Sequence, residues 1–361
     1  MIRKRALAWA AGAAAGMLSS GASADGFDGY GDSYRAFQTP PVGSGSFGVA
    51  GAALADGRLL MATGNSLFVE SGPGTAEFAE VARLDAAATG GSIDPAFLTI
   101  SPGGTRIAVG GGFGKPVAVF ALDALGTPDA PTDLISGETA EYFKVGHYDG
   151  AWYDEVSLAL TAGDFGTPAF VSLLDTTSDP DAPARRTVVS GIRGASSGVA
   201  FDREGRLYTG NGFADGGGSD TGWIRAFDAA EWIGGVDFES GGVLIGDVLS
   251  AGSLEFDSFG NLAVGGGDFG GQDAGYMGLI HAAAIADALA GLGAIDGADP
   301  AELKRLDPRG DGLGYFGAAY NGATGELYAT DGTTWYATVP SPGCAAAIGV
   351  GALLAGRRRH G

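Results

Sequence analysis

The stretch Gly198-Val-Ala-Phe-Asp-Arg-Glu-Gly-Arg-Leu-Tyr-Thr-Gly210 decides the fold of this 361-residue chain. It is typical of two short β-strands joined by a tight turn, because apolar residues alternate on both sides of a break that contains Asp and Gly. The same pattern recurs in Ser253-Leu-Glu-Phe-Asp-Ser-Phe-Gly-Asn-Leu-Ala-Val-Gly265. One apolar position, which we call the anchor, marks six copies at intervals of 48 to 65 residues: Leu59, Ile107, Leu158, Leu207, Leu262 and Leu327.

A third apolar segment follows each hairpin, and a weaker fourth segment follows some of them. The third segments are 66–71, 116–126, 168–176, 222–233, 276–285 and 334–340, and the fourth are 78–85, 187–191 and 243–250. Ala-rich stretches at 229–232 and 287–291 are typical of single helical turns between strands. A parallel β-helix would repeat at a shorter period, and a sandwich would not repeat the whole unit. The sequence therefore predicts an all-β protein, a β-propeller of six blades with three to four antiparallel strands each.

Residues 198–208 resemble the repeats of NHL-type and related six-bladed propellers, through Gly-Val-Ala-Phe-Asp followed by Gly-Arg-Leu-Tyr. The resemblance covers most of residues 47–340 and concerns an architecture more than one family. Some six-bladed propellers are calcium-dependent lactonases or esterases whose Glu, Asn and Asp ligands line the central channel. The resemblance therefore implies a hydrolase as one alternative for this chain.

The sixth copy ends near Val339 and has no fourth apolar segment of its own. The segment 27–47, which precedes the first hairpin, contains Tyr30, Tyr34 and Phe37. It is compatible with the missing strand, which would pair the two ends of the chain and remove an exposed edge. It is equally compatible with a Gly-rich flexible leader, and the sequence leaves both alternatives open.

Residues 1–24 have the three parts of a secretory signal peptide. The basic residues 3–5 precede an apolar run from Ala6 to Met17. Ala22 and Ala24 then form a small-x-small cleavage site, so the mature protein is expected to begin at Asp25.

The C-terminal residues 340–361 are typical of a targeting segment more than of a folded domain. A helix-breaking motif, a 13-residue apolar run from Cys344 to Gly356 and a basic cluster follow one another. The motif is Val339, Pro340, Ser341, Pro342 and Gly343, and the cluster is Arg357, Arg358 and Arg359. This order resembles the PEP-CTERM sorting signals of exported bacterial proteins, although Cys344 departs from their usual pattern. A permanent membrane span needs roughly 20 apolar residues, so we expect a transient membrane stop that a processing protease removes.

The expected mature domain, 25–339, is strongly acidic. Of the 21 basic residues, three lie in the signal peptide and three in the tail, which leaves 15 against 42 acidic residues and a formal net charge of −27. Nucleic-acid binding needs a basic surface and is excluded as a function class. The single cysteine, Cys344, lies in the tail, so the domain has no disulfide and depends on its core.

Two long Gly-rich segments carry the candidate metal ligands. Asp215 and Asp220 lie between the second and third strands of copy four, and Asp268 and Asp273 occupy the equivalent segment of copy five. Carboxylates on flexible loops at the same face of adjacent blades suit Ca²⁺, although neither segment has EF-hand spacing. Ca²⁺ is therefore the one cofactor that the sequence suggests.

The hydrolase alternative needs several carboxylates and amides in the central channel. Asp202, Glu255, Asp257 and Asn321 are the candidates, but Asp202 and Asp257 are also suited to cap the first turns of their hairpins. Glu255 differs, because other copies have Ala200 or Thr99 at its mid-strand position. We expect it to face the channel, where three or more such groups would favour an enzyme.

The sequence thus predicts an exported protein of the periplasm, outer surface or extracellular matrix. Its predicted role is non-catalytic binding of a glycan, a protein or a cation on a propeller scaffold. A calcium-dependent lactonase or esterase is the alternative, and the sequence does not identify the surface ligand.

Overall fold

The architecture is taken from a computed structural model. The described residues are 30–38, 49–112, 114–164, 167–192, 194, 198–211, 222–248, 250–266, 275–297, 299, 302–306, 314–315, 317–332 and 334–340. Within these ranges the helices are all too short or too polar to cross a membrane.

Six small sheets, each built mainly of consecutive antiparallel strands, form the blades of a ring. The chain begins with β1 (Tyr30–Gln38), and blades 1 and 2 then contain β2 (Val49–Ala53), β3 (Leu59–Thr63), β4 (Ser66–Glu70), β5 (Phe78–Leu84), β6 (Phe97–Ile100), β7 (Arg106–Gly110), β8 (Val117–Ala121), β9 (Thr132–Leu134) and β10 (Glu141–Phe143). Blades 3 and 4 contain β11 (Gly150–Trp152), β12 (Ser157–Asp164), β13 (Thr167–Asp175), β14 (Arg185–Ile192), β15 (Val199–Phe201), β16 (Leu207–Gly210), β17 (Gly222–Phe227), β18 (Val236–Asp237) and β19 (Val243–Val248). The remaining strands are β20 (Ser253–Phe256), β21 (Leu262–Gly266), β22 (Tyr276–Ile280), β23 (Ile295–Asp296), β24 (Leu303–Leu306), β25 (Gly317–Asn321), β26 (Glu326–Thr330) and β27 (Thr334–Pro340). Of these, β23 belongs to the sheet of blade 4, and the others form blade 5 and, together with β1, blade 6.

Short helices decorate the connections between strands. They are α1 (Ala86–Thr89), a 3-10 turn (Leu122–Ala124), α2 (Ala229–Gly234) and α3 (Ala282–Leu289). The predicted third strand of copy five, 276–285, was wrong in its second half, since β22 ends at Ile280. The Nδ1 atom of His281 accepts a hydrogen bond from the Ala283 N–H, so His281 caps α3 and the Ala-rich residues after it are helical.

The predicted six-bladed propeller is confirmed. Each anchor residue lies at or next to the start of the second strand of its blade and is at most 2% exposed. The core lies between the faces of neighbouring blades, where for example Tyr208 of blade 4 meets Phe256 of blade 5 edge to face. Burial of apolar residues between blades is therefore what spaces the six copies around the ring.

Three short parallel strands tie neighbouring blades together at their outer edges. The strands β9, β18 and β23 each leave one blade and pair with the outer strand of the blade before it. Such added strands cover the outer edges of blades 1, 3 and 4, which would otherwise expose unpaired backbone groups.

The ring is closed by the two ends of the described chain. The strand β1 pairs with β27 in antiparallel register, with Tyr30 opposite Pro340 and Gln38 opposite Thr334. Of the two alternatives for the N-terminal segment, the closing strand is thus the one found, while residues 27–29 and 39–47 lie outside the described residues. A buried cluster that includes Leu59, Met61, Tyr328 and Trp335 joins blade 6 to blade 1.

Candidate functional site

The innermost strands of the six blades surround a central channel. They are β2, β6, β11, β15, β20 and β25, and each begins at the end of the propeller where strands two and three of a blade are connected. We call this end the loop end, and the opposite end, where strands one and two turn, the turn end. Strand register then assigns every inner-strand residue a depth in the channel.

Glu255 stands alone in its layer of the channel. Each residue of this layer pairs with the residue after an anchor, and the layer consists of Ala52, Thr99, Ala151, Ala200, Glu255 and Ala319. The expectation that Glu255 is equivalent to Ala200 and Thr99 and faces the channel is confirmed, because it lines the channel cavity. The other five residues of the layer are Ala or Thr, so Glu255 carries its only charged side chain.

A second layer lies two residues nearer the loop end. By the same register its members are Ala50, Phe97, Asp149, Gly198, Ser253 and Gly317. Asp149 is thus the only charged residue of this layer. Residues of both layers line a cavity of about 180 Å³, and Asp149 and Glu255 are the two titratable residues among the described residues of its wall.

Asp149 joins the inner strands of three successive blades. Its Oδ1 accepts the N–H of Gly150 at 2.9 Å, and its Oδ2 accepts the N–H of Val199, in blade 4, at 3.0 Å. The N–H of Leu254, in blade 5, also donates to this carboxyl. Burial raises the pKa of Asp149 to about 7, and it outweighs the three N–H groups, which lower it.

Glu255 belongs to β20, the inner strand of blade 5. Burial raises the pKa of its carboxyl to about 8, the backbone N–H of Tyr320 lowers it, and the charge of Asp149 raises it further. Both carboxyls are surrounded by protein atoms, yet each residue keeps part of its surface open to the channel. The two carboxyls, which we call the acidic pair, therefore both titrate near neutral pH, and burial is the main reason for each.

The other three channel candidates lie at the turn end and have structural roles. Asp202 accepts the N–H groups of Glu204 and Arg206, and Asp257 accepts those of Phe259 and Asn261. Both cap the first turn of their hairpin, as the sequence predicted.

Asn321 is likewise engaged in a turn contact. Its Nδ2 donates to the carbonyl of Gly57 in blade 1 at 2.7 Å. Its Oδ1 accepts the N–H of Ala323 at 3.1 Å. This amide therefore joins two blades at the turn end and takes no part in the acidic pair.

The predicted metal ligands Asp215, Asp220, Asp268 and Asp273 lie outside the described residues. The strand ends that flank them are Asn211, Gly222, Gly266 and Gly275, and all four belong to the loop end of blades 4 and 5. Within the described ranges no group of three or more His, Cys, Asp or Glu residues could hold a metal ion.

The sequence reasoning missed Asp149. The third copy is the least regular one, because the polar residues Asp154 and Glu155 separate Trp152 from the anchor Leu158 and no alternation marks the residues before Trp152. Trp152 pairs with Leu158, the anchor, and counting three residues back places Asp149 at the depth of Ser253. An alignment on the anchors alone would have found it.

Searches of protein families and of characterised proteins return no match to this chain. Among solved structures it is similar to a streptogramin B lyase structure, with 10% identity over 87% of this chain and 98% of the other and a TM-score of 0.49. It is also similar to a luciferin-regenerating enzyme, with 14% identity, 85% and 95% coverage and a TM-score of 0.49. A third is the calcium-binding protein regucalcin from Agrobacterium tumefaciens str. C58, with 10% identity, 81% and 90% coverage and a TM-score of 0.47. The six-bladed propeller itself is established by the strand pairing within this chain.

Proposed function

We propose that this protein is an exported binding module whose ligand site is the loop end of the propeller channel and whose ligand carries positive charge. The observation that carries this proposal is the acidic pair of Asp149 and Glu255 in the wall of the channel cavity. Among the described residues, the charge that acts on the pKa of Glu255 is that of Asp149, and a bound cation would favour the ionised form of both carboxyls. The net charge of −27 on residues 25–339 also favours the approach of cations.

Ca²⁺ is the inorganic cation that we propose for this end of the channel. Asp215, Asp220, Asp268 and Asp273 would supply hard oxygen ligands from the segments that connect β16 to β17 and β21 to β22. Calorimetric titration of the EDTA-treated protein with Ca²⁺ is expected to give a saturable heat, and the melting temperature is expected to rise.

A matched pair of variants locates the Ca²⁺ site. Asp268→Asn with Asp273→Asn is expected to weaken Ca²⁺ binding at least about tenfold. Asp129→Asn with Asp287→Asn removes the same charge from exposed positions elsewhere and is expected to leave the affinity unchanged. Absence of both the heat and the melting shift would refute the Ca²⁺ proposal.

A lactonase- or esterase-like hydrolase is the second candidate function. It is favoured by the pKa values of about 7 for Asp149 and about 8 for Glu255, because a general acid or base works best when its pKa is near the operating pH. Turnover of an aliphatic lactone that Glu255→Gln abolishes would decide for this alternative.

We propose in addition that both chain ends are removed after export. The mature protein would begin at Asp25, and its C-terminus would lie within 340–343 after a sorting protease has cut. The intact mass of the protein recovered outside the cytoplasm is expected to fit these ends. Replacing Arg357–Arg359 with Gln is expected to leave the N-terminal cut unchanged and to prevent the C-terminal one, because the basic cluster holds the tail on the cytoplasmic side. If the tail of that variant is still cut within 340–343, the sorting proposal is contradicted.

A further inference from the structure

Both ends of the described chain leave the propeller at the turn end. The strand β27 pairs with β26 through Trp335 opposite Thr330, at the loop end, so it runs towards the turn end and finishes there at Pro340. Tyr30, the first described residue, lies opposite Pro340. The segments that precede and follow the ring are therefore both joined to this one end.

The large apolar side chains that are exposed concentrate at the same end. The described residues include six of them, and four lie at the turn end: Val156, Ile233, Val243 and Phe259. Of the other two, Ile135 follows β9 at the loop end, and Leu292 lies between α3 and β23. Single exposed apolar residues are ordinary on a protein, whereas their concentration on one face marks an interaction surface.

Strand register places the four residues on three consecutive blades. Val156 and Phe259 belong to the turns between strands one and two of blades 3 and 5. In blade 4, Val243 begins β19 opposite the last part of β17, and Ile233 lies in α2, which follows β17 directly. Blade 6, where β27 ends, is the next blade of the ring. We call these four side chains the turn-end face.

We propose that the turn-end face lies on the surface of a lipid bilayer as long as the C-terminal tail is attached. The inference rests on the proposed function, because it takes the apolar run Cys344–Gly356 as a membrane stop. Only residues 341–343 separate Pro340 from that run, and this connection spans at most about 14 Å when fully extended. The end of β27 is therefore held beside the bilayer, and the turn end is the side of the ring that faces it.

The short connection makes a small apolar surface sufficient. A linker of a few residues keeps the attached group at a local concentration in roughly the millimolar range, so a contact that is weak by itself becomes occupied. Binding at a membrane surface grows with the apolar area that is buried, and Phe is one of the side chains that enter the interface. The contact therefore needs no basic patch on the protein.

The charged groups of the turn end indicate which lipid the face accepts. Asp202 accepts the N–H of Glu204 and forms an ion pair with Arg206 at 2.9 Å, and Arg203 donates to the carbonyl of Ser258. These groups are thus engaged within the protein. The net charge of −27 on residues 25–339 is repelled by an anionic lipid surface, so the appropriate probe is a zwitterionic bilayer.

This orientation leaves the proposed ligand site open to solvent. The loop end lies on the opposite side of the ring, and strands of about five residues place it roughly 17–20 Å further from the bilayer. The channel mouth and the segments that carry Asp215 and Asp268 then face away from the membrane. The tethered protein would bind its ligand before the tail is cut, and the cut would release it without altering that site.

Fluorescent labels at two matched positions measure the orientation. The protein is the predicted exported form with its tail, residues 25–361, and carries Cys344→Ala because Cys344 is the only cysteine. Val156 at the turn end and Ile135 at the loop end are 41% and 43% exposed, and each is replaced by a cysteine with the same nitrobenzoxadiazole label. On phosphatidylcholine vesicles with a nitroxide on the lipid headgroup, the label at 156 is expected to lose most of its fluorescence and the label at 135 to keep it.

Removal of the apolar side chains tests whether they contribute to the contact. Val156→Ser with Phe259→Ser is expected to lower the partition of the protein onto phosphatidylcholine vesicles about tenfold in a flotation assay. Ile135→Ser with Leu292→Ser removes exposed apolar groups away from the face and is expected to leave the partition unchanged. All four positions are exposed, and the melting temperature checks that each variant is folded.

The outcomes separate this inference from the sorting proposal. If the protein floats with the vesicles but both labels keep their fluorescence, or lose it equally, the tail enters the bilayer and the proposed orientation is wrong. Unchanged partition of the Val156→Ser, Phe259→Ser variant would likewise overturn the turn-end face. If the protein does not float at all, the membrane stop is refuted and the orientation with it. A dimer in solution in which the label at 156 is protected without vesicles would assign the face to a second copy of the chain.

Discussion

Deletion of Tyr30–Gln38 is expected to lower the free energy of unfolding by about 3–6 kcal/mol. The segment forms β1, which is paired with β27 from Gln38 opposite Thr334 to Tyr30 opposite Pro340. Loss of roughly six ladder hydrogen bonds at about 0.5–1 kcal/mol each accounts for this estimate. A domain is normally stable by only about 5–15 kcal/mol, so much of the stability would be lost.

The physical reason is that β1 closes the ring. Without it, β27 becomes an exposed edge strand, and β27 carries Trp335 of the cluster that joins blade 6 to blade 1. An exposed edge pairs with other chains, so the deleted protein is also expected to associate or aggregate. Urea denaturation followed by circular dichroism measures the first effect, and light scattering measures the second.

Two controls make the ring-closure prediction specific. A synthetic peptide with the sequence of residues 30–38 is expected to restore the denaturation midpoint when added to the deleted protein, because it can occupy the free edge of β27. Truncation after Pro340 removes the tail but no part of β27, and it is expected to leave the midpoint unchanged. An unchanged midpoint in the protein without 30–38 would show that β1 does not hold the ring closed.

The architecture was predictable because its signal is repeated. Six anchors that had to be buried, such as Leu207 and Leu262, each carried the same hairpin pattern, so errors in single copies did not matter. The closing strand was only one of two alternatives, since 30–38 contains nothing that distinguishes a strand from a leader until its partner β27 is known. Pairing between distant ends of a chain depends on the ring and not on local sequence.

The channel site was predictable only in part, for a physical reason that Glu255 and Asp149 show well. Glu255 stood out because five other copies have Ala or Thr at its position. Asp149 lies in the least regular copy and precedes its strand, so neither alternation nor a turn motif marked it. The close approach of the Trp335 ring to Gly51 across the seam between blades 6 and 1 is likewise a contact that no local pattern encodes.

Replacement of Asp149 by Ala is expected to lower the free energy of unfolding by about 3–6 kcal/mol at pH 5. The carboxyl accepts backbone N–H groups from Gly150, Val199 and Leu254, and each donor that is left buried and unpaired costs about 1–3 kcal/mol, partly relieved by water in the channel. Asp149→Asn retains one acceptor oxygen and is expected to lose about half as much. The control is Asp287→Asn, at an exposed position of α3, which is expected to leave the free energy of unfolding unchanged. Ser172→Ala is unsuitable as a control, because Ser172 accepts a hydrogen bond from Arg185.

The difference in the free energy of unfolding between the natural protein and Asp149→Ala is expected to decrease as the pH rises. The direction of this change shows whether burial or hydrogen bonding dominates the pKa of Asp149. The pKa of Asp149 is about 7 in the folded protein and near 3.9 in an unfolded chain. The folded state therefore binds more protons between pH 4 and 7, so the native protein loses stability across that window as the pH increases. The Ala variant lacks this loss, and the difference between the two proteins should fall by about 2–4 kcal/mol from pH 5 to pH 8. A difference that instead grows with pH would mean that the hydrogen bonds from the three N–H groups outweigh the effect of burial. The pKa of Asp149 would then be lowered, and Asp149 would not belong to an acidic pair that titrates near neutral pH.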